Sequence, residues 1–192
     1  MKELIRQRIV VLIPLLKDAD PDVRATVARS IEHLEVTCDL NEILHTLKTG
    51  DTGARIAAIH ALGEIGGEKV IAPLIYCAGR PEADIRSAAV EMLGRLAEPS
   101  TLPILLERLD DENTAIQARA ITALSNFPAS ATLFDRLRPF LKATNGDLEA
   151  EATLALARLG DLSSTDAVIT LLASPHASTR KAAAIALSLL PI

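Results

Sequence analysis

Four histidines and two cysteines are the residues of this chain best suited to bind a metal or attack a substrate, and their spacing favours neither. A metal site needs several His, Cys or carboxylate ligands converging on one point. His33, His45, His60 and His176 are scattered, and none is followed by Glu. His33 and His60 fall on one face and read as solvated surface residues. Cys38 and Cys77 form no CxxC pair and no Cys/His cluster. Cys77 lies on a helix beside an inward-facing column, where a thiol acts as a small buried hydrophobe. Cys38 falls in an expected turn and is the more exposed of the two. There is no nucleophile elbow, no phosphate-cradling glycine loop and no ordered triad. Gly66-Gly67 reads as a turn between helices, and Glu151 and Asp111 have no apolar pocket that would make a carboxylate pair. No catalytic residue, metal ligand or cofactor is expected.

One set of charged residues keeps a strict phase. Arg24, Arg55, Arg86 and Arg180 occupy equivalent positions, with Gln117 and Glu149 completing the column. Such a row could bind anions. It could equally be a ladder of contacts to nearby acids (Asp22, Asp51 and Asp84) or to loop carbonyls, tying one unit to the next. Its lock to the repeat favours the ladder, which breaks at Gln117 and Glu149, so stacking there must use other contacts.

The elements that carry this row repeat every 31 residues. The residues just before it, Val23, Ala54, Ile85, Ile116, Leu148 and Thr179, are 31 apart, with a single step of 32. Six units fill the chain, roughly 4–35, 39–66, 68–97, 100–128, 131–160 and 164–191, as one repeat domain. Each reads as two antiparallel helices joined by a short linker. Three residues before each anchor stand Asp20, Asp51, Glu82, Asn113, Asn145 and His176, of which the Asp and Asn are good N-caps. The second helix carries an inward stripe. Val27, Ala58, Ala89, Ala120, Ala152 and Ala183 lie four after the anchor, Ile31, Leu62, Leu93, Leu124, Leu156 and Leu187 eight after. The first helix is marked by Leu12, Ile43, Leu74, Leu105, Leu137 and Val168. Gly66, Pro128, Gly160 and Pro191 are helix stops.

Asp-x-Asp-Val-Arg-x-x-Val-Ala at 20–28, the segment 54–66 and Ile-Arg-Ser-Ala-Ala-Val-Glu-Met-Leu-Gly-Arg-Leu at 85–96 resemble HEAT repeats, and more closely the short HEAT-like repeats of the phycobilisome-lyase type. The resemblance covers the whole chain. It implies an all-α, right-handed α-solenoid of about six helix pairs, with the second helices on the concave side, serving protein–protein contacts. Some HEAT-like enzymes hold a di-iron site through repeated His-Glu dipeptides, which are missing here. The lyase resemblance raises one alternative, a bilin lyase-like enzyme or chaperone subunit. Tyr76, Phe127, Phe134 and Phe140 are the only aromatics with which to line a pigment groove.

Composition agrees with a helical stack. The chain is 49% hydrophobic but 2% aromatic, so its core is Leu, Ile, Val and Ala. A net charge of −5, from 20 basic and 25 acidic residues, speaks against nucleic acid, since no basic stripe is present. A nucleic-acid-binding HEAT-like protein is the other alternative. The start, basic and then apolar from Ile9 to Leu16, contains Pro14 and leads into Lys17-Asp18-Ala19-Asp20 rather than a cleavage site. No apolar run reaches the roughly 20 residues of a membrane span. Two unpaired cysteines suit a reduced, cytoplasmic setting.

The expected function is a non-catalytic scaffold that presents its concave surface to another protein. That surface is read from positions three, six and ten after each anchor. It includes Arg29, His33, His60, Glu64, Glu91, Arg95 and Arg119, a mixed-charge strip. At the C-terminal end Leu154, Ile185 and Leu189 form an apolar patch instead. It suits self-association, partner docking or further repeats beyond it.

Overall fold

The helical period is realised almost throughout. A computed structural model describes residues 2–191, with the side chains of residues 2, 3 and 36–38 outside the described part. The expectation that Cys38 is the more exposed thiol therefore lies outside it. Helix accounts for 81% of the chain, and no strand occurs among the described residues. The all-α fold expected from the period is correct. Contacts divide the chain into two compact units, Met1–Ile65 and Gly66–Ile192.

In the first unit, α1 (Lys2–Leu12) runs through a 3₁₀ turn to a linker and then α2 (Pro21–Thr49). The Asp20 carboxylate opens α2 by accepting the Asp22 N–H at 2.7 Å, with Pro21 in the first turn. The turn expected between residues 35 and 39 is absent, and α2 continues for 29 residues. The reason lies in the segment itself: residues 35–40 contain neither Gly nor Pro, so every N–H can continue the ladder. The second helix of the first expected repeat and the first helix of the next are thus one element. It stops at Gly50. Asp51 then caps α3 (Thr52–Ile65), accepting the Ala54 N–H at 2.8 Å.

The second unit holds four helix pairs. These are α4 (Glu68–Ala78) with α5 (Ala83–Leu96), α6 (Leu102–Glu107) with α7 (Thr114–Leu124), α8 (Ala131–Leu137) with α9 (Gly146–Arg158), and α10 (Thr165–Leu171) with α11 (Ala177–Leu189). The second helices pack in chain order, α5 on α7, α7 on α9 and α9 on α11. Asn113 and Asn145 cap α7 and α9 as expected, whereas Glu82 and His176 hold the same place with no capping side-chain bond. Gly66, Gly67 and Gly160 adopt positive φ where the chain turns back, and Ala97 does so at +48° despite its Cβ.

The inward stripe is buried through the middle of the chain, where Ala89, Ala120, Ala152 and Ala183, with Leu93, Leu124 and Leu156, are sealed from solvent, while Ile31 and Leu187 are only half-buried. Leu74, Leu105 and Leu137 meet them from the first helices, and Cys77 is buried beside Leu74 in sequence. Small residues set the helix separation. A Cβ on Gly94 would lie 2.4 Å from the Ala123 Cβ and 2.7 Å from its Cα, so α5 and α7 touch nearly backbone to backbone.

The arginine column serves the linkers. Arg24 Nη1 donates to the carbonyls of Asp18 and Ala19 at 2.7 and 3.0 Å. Arg86 Nη1 donates to those of Arg80 and Pro81 at 2.9 and 2.7 Å, and Arg180 Nη1 to those of Ser174 and Pro175 at 2.7 and 3.0 Å. Each guanidinium thus closes the loop before its own helix. Half-buried Arg55 reaches the Lys48 carbonyl at 3.5 Å. Asp22, Asp51 and Asp84, expected as partners, are exposed and accept no bond from the column, because they lie on or before the same helix turn rather than across it. Arg86 pairs with acids of the next linker: it donates to both oxygens of buried Asp111 at 3.0 Å and to Glu112 at 3.2 Å. Where the column turns acidic, buried Glu149 accepts from Ser174 Oγ at 3.3 Å and Thr179 Oγ1 at 3.0 Å. Arg138 adds a fork onto buried Asp161, at 2.8 and 2.7 Å.

Both buried aspartates titrate below the usual value. Burial would raise Asp111, but the hydrogen bonds from Arg86 and the Asn113 N–H outweigh it. For Asp161 the Arg138 hydrogen bond dominates the opposing burial. Their ionised forms therefore stabilise the fold above the ordinary aspartate value of about 3.9, and that stability is lost as pH falls from there through the lowered native values.

Two outcomes are expected. Gly94→Ala forces α5 from α7 and lowers stability by roughly 1–3 kcal/mol in urea melts; an unchanged midpoint would refute the close approach. Asp161→Asn is less stable than the unmodified chain at neutral pH, yet its stability falls less steeply as the pH drops below about 4. Parallel pH profiles would show that Asp161 carries no linkage.

Candidate functional site

Residues on the outer side of the second helices are polar because the inner side is committed to the stripe, and their alignment in successive pairs makes a groove. In the second unit it crosses α5, α7 and α9 and encloses about 670 Å³. Its floor is Gly94, Ala115, Ala118, Ala123 and Ala150, and its walls are Glu91, Arg95, Arg119, Thr122, Asn126, Asp147 and Glu151, with Ser178 at one end. A floor of small residues leaves the width open, and no aromatic side chain lines it.

The walls are partly engaged with one another. Arg119 Nη1 on α7 donates to Glu91 Oε2 on α5 at 2.6 Å. Thr122 Oγ1 donates to Glu151 Oε2 on α9 at 2.7 Å. Both contacts join a residue six after one anchor to a residue three after the next. Asn126 Nδ2 donates to the Gly94 carbonyl at 2.9 Å, and Arg95 Nη1 approaches Met92 Sδ at 3.9 Å. The Glu91–Arg119 pair is nearly half exposed, so both heads remain open to water.

Within the second unit the structure brings Glu91, Arg95 and Arg119 together along this groove. Arg29 and His33 belong to the first unit, where they line a separate cavity of about 780 Å³ between α1 and α2 with Leu4, Val11, Leu12 and Leu34. His60 and Glu64 lie on α3, half-buried and exposed. Leu154 is half-buried on α9, while Ile185 and Leu189 on α11 are 50% and 49% exposed. Sequence reasoning missed the floor, Ala115, Ala118 and Ala150, and Asp147. Their signal was the small or short residue recurring one before and two after the anchor. No cluster of three or more metal-ligating side chains occurs among the described residues. No described helix is long and apolar enough to cross a membrane.

The family model for HEAT repeats matches residues 9–93 and 73–133. No curated protein sequence matches the chain. Among solved structures, a chain of the complex of CpcE and CpcF of phycocyanin lyase from Nostoc sp. PCC7120 is similar, with a TM-score of 0.69 at 18% identity over 79% of this chain. This chain spans 64% of that one. YibA of Escherichia coli is similar at a TM-score of 0.64 and 22% identity, over 97% of this chain and 73% of its own. A designed armadillo repeat protein in complex with the peptide (KR)4 gives 0.59 and 18%, over 94% and 98%. At these identities the likeness is one of fold.

The wall pairs should be cheap to rearrange. A double-mutant cycle on Glu91→Ala and Arg119→Ala should give a coupling below about 1 kcal/mol in thermal melts, as for exposed ion pairs. A much larger coupling would make the pair a structural strut.

Proposed function

The chain belongs to the HEAT-repeat family, and from that premise we propose that it is a non-catalytic scaffold binding an extended, polar segment of another protein along the groove of α5, α7 and α9. The observation that carries this reading is the groove's make-up: a small-residue floor between walls of alternating donors and acceptors. Arg95 and Arg119 offer donors, and Glu91, Asp147 and Glu151 offer acceptors. An extended segment presents backbone N–H and C=O groups in alternation, and such walls can satisfy both. With no large apolar anchor on the floor, specificity would come from charge order rather than from a hydrophobic plug. The designed armadillo protein that holds a charged peptide supports the idea that stacked helix pairs suit such a ligand. Arg29, His33, His60 and Glu64 extend the same reading to the first unit, and the buried Cys77 thiol suits a reducing cytoplasm.

A second reading, a subunit acting in bilin attachment, draws on the fold shared with the phycocyanin lyase chain. A groove without aromatic lining favours a polypeptide over a conjugated ring system.

The test is a double variant, Glu91→Lys with Arg119→Glu. It swaps the Glu91–Arg119 pair without losing it, so the melting temperature should hold. Capture of the chain's partners from native lysate should fall by about tenfold or more, because complementary wall charges steer and orient the partner. Capture unaffected by the swap would remove the groove from consideration. A pigment co-purifying after co-expression with a bilin source would support the second reading instead.

A further inference from the structure

Two joints between helix pairs in the second unit share one geometry. Arg86, the residue after its anchor, bonds Asp111, which stands five residues before the next anchor, with Nε and Nη2 each at 3.0 Å. Glu149, also the residue after its anchor, accepts from Ser174, again five before the next anchor, at 3.3 Å. A side chain in the first position therefore reaches forward to the linker of the following pair.

The pair α10–α11 carries the forward half of this joint, and its receiving half is not among the described residues. Arg180 repeats Arg86 down to the atom, its Nη1 closing on two linker carbonyls. Its Nε and Nη2, the edge that Arg86 gives to Asp111, have no bond among the described residues. The apolar positions around it are open as well. Leu109 and Leu141 are 1% and 5% exposed, yet their counterpart Leu172 is 42% exposed. Ile169, Ile185 and Leu189 are about half exposed.

The first pair carries the receiving half. Asp18 stands five before its anchor, and its Oδ1 accepts the Asp20 N–H at 2.9 Å, just as Asp111 Oδ1 accepts the Asn113 N–H at 3.0 Å. Unlike Asp111, it has no cationic partner among the described residues. The same helix pair holds the apolar cavity between α1 and α2. That cavity is lined by Thr26 and Ser30, at the positions where Arg119 and Ala123 of α7 receive α5.

We propose that the chain assembles head to tail, the last helix pair of one copy stacking on the first helix pair of a second copy. Arg180 then forks onto Asp18 of the second copy as Arg86 does onto Asp111. Leu172, Ile185 and Leu189 cover the cavity walled by Leu4, Val11 and Leu12. The opposite charges select a second copy as occupant, and the joint repeats the internal one. Because the two faces differ, the contact is heterologous and extends beyond two copies unless a ring closes.

Light scattering and sedimentation of the chain over rising concentration test this. Mass should climb past that of a dimer. Ile185→Glu with Leu189→Glu blocks the tail, and Val11→Glu blocks the head; all three residues are exposed, so the fold should survive. Each blocked variant alone should stay monomeric, and an equimolar mixture of the two should stop at dimers. Asp18→Arg or Arg180→Asp should weaken association by about tenfold or more, and the two changes in one chain should restore it. A mass that stays monomeric, a blocked variant that still associates, or a charge swap that fails to rescue the single changes would each overturn the proposal.

Discussion

The guanidinium of Arg86 does three things at once: it closes two linker carbonyls, neutralises the buried Asp111 and joins one helix pair to the next. A linker three to four residues long leaves carbonyls at the buried end of a helix pair, where an unmet acceptor costs about 1–3 kcal/mol. A flat fork with five donors can satisfy several at once, which a lysine cannot. With the linker closed, the second helix starts at a fixed point. Every stripe residue then falls opposite its counterpart one repeat on.

The groove follows from that alignment. With α5, α7 and α9 held in register and brought close by Gly94 against Ala123, their outer faces cannot diverge far. The small residues that permit the approach also form the floor. The long polar side chains are pushed to the walls, where Glu91 meets Arg119 and Thr122 meets Glu151. Packing and recognition thus use adjacent positions on the same turns. The stripe four and eight after the anchor holds the stack, and the residues three and six after it face the open side.

Stacking does not require one chemistry at every joint. Arg86–Asp111 is a buried ion pair, whereas Glu149 with Ser174 and Thr179 places a carboxylate against two hydroxyls. Arg138 on Asp161 works from the 3₁₀ turn that follows α8 rather than from the second helix of its pair. What is common to Asp111, Glu149 and Asp161 is that each buried carboxylate is hydrogen-bonded, without which its desolvation would oppose the fold.

The period, the inward stripe, the Asp and Asn caps and the family were legible in the sequence, because each depends on residues within one or two helical turns. The column of arginines was legible too, and so was its choice of loop carbonyls or acids. Which acid was not. Asp84 is nearer to Arg86 along the chain, but Asp111 is the acid it bonds, since the fork reaches across a joint and not along a helix. Local composition also decided the unbroken α2, where the repeat phase called for a turn and the absence of Gly or Pro denied one. The gathering of Glu91, Arg95 and Arg119 with an alanine floor, and the placing of Arg29 and His33 on a cavity between α1 and α2, came from tertiary structure alone. A helical position specifies the face on which a side chain lies, whereas the neighbour it meets depends on how closely the next helix can approach.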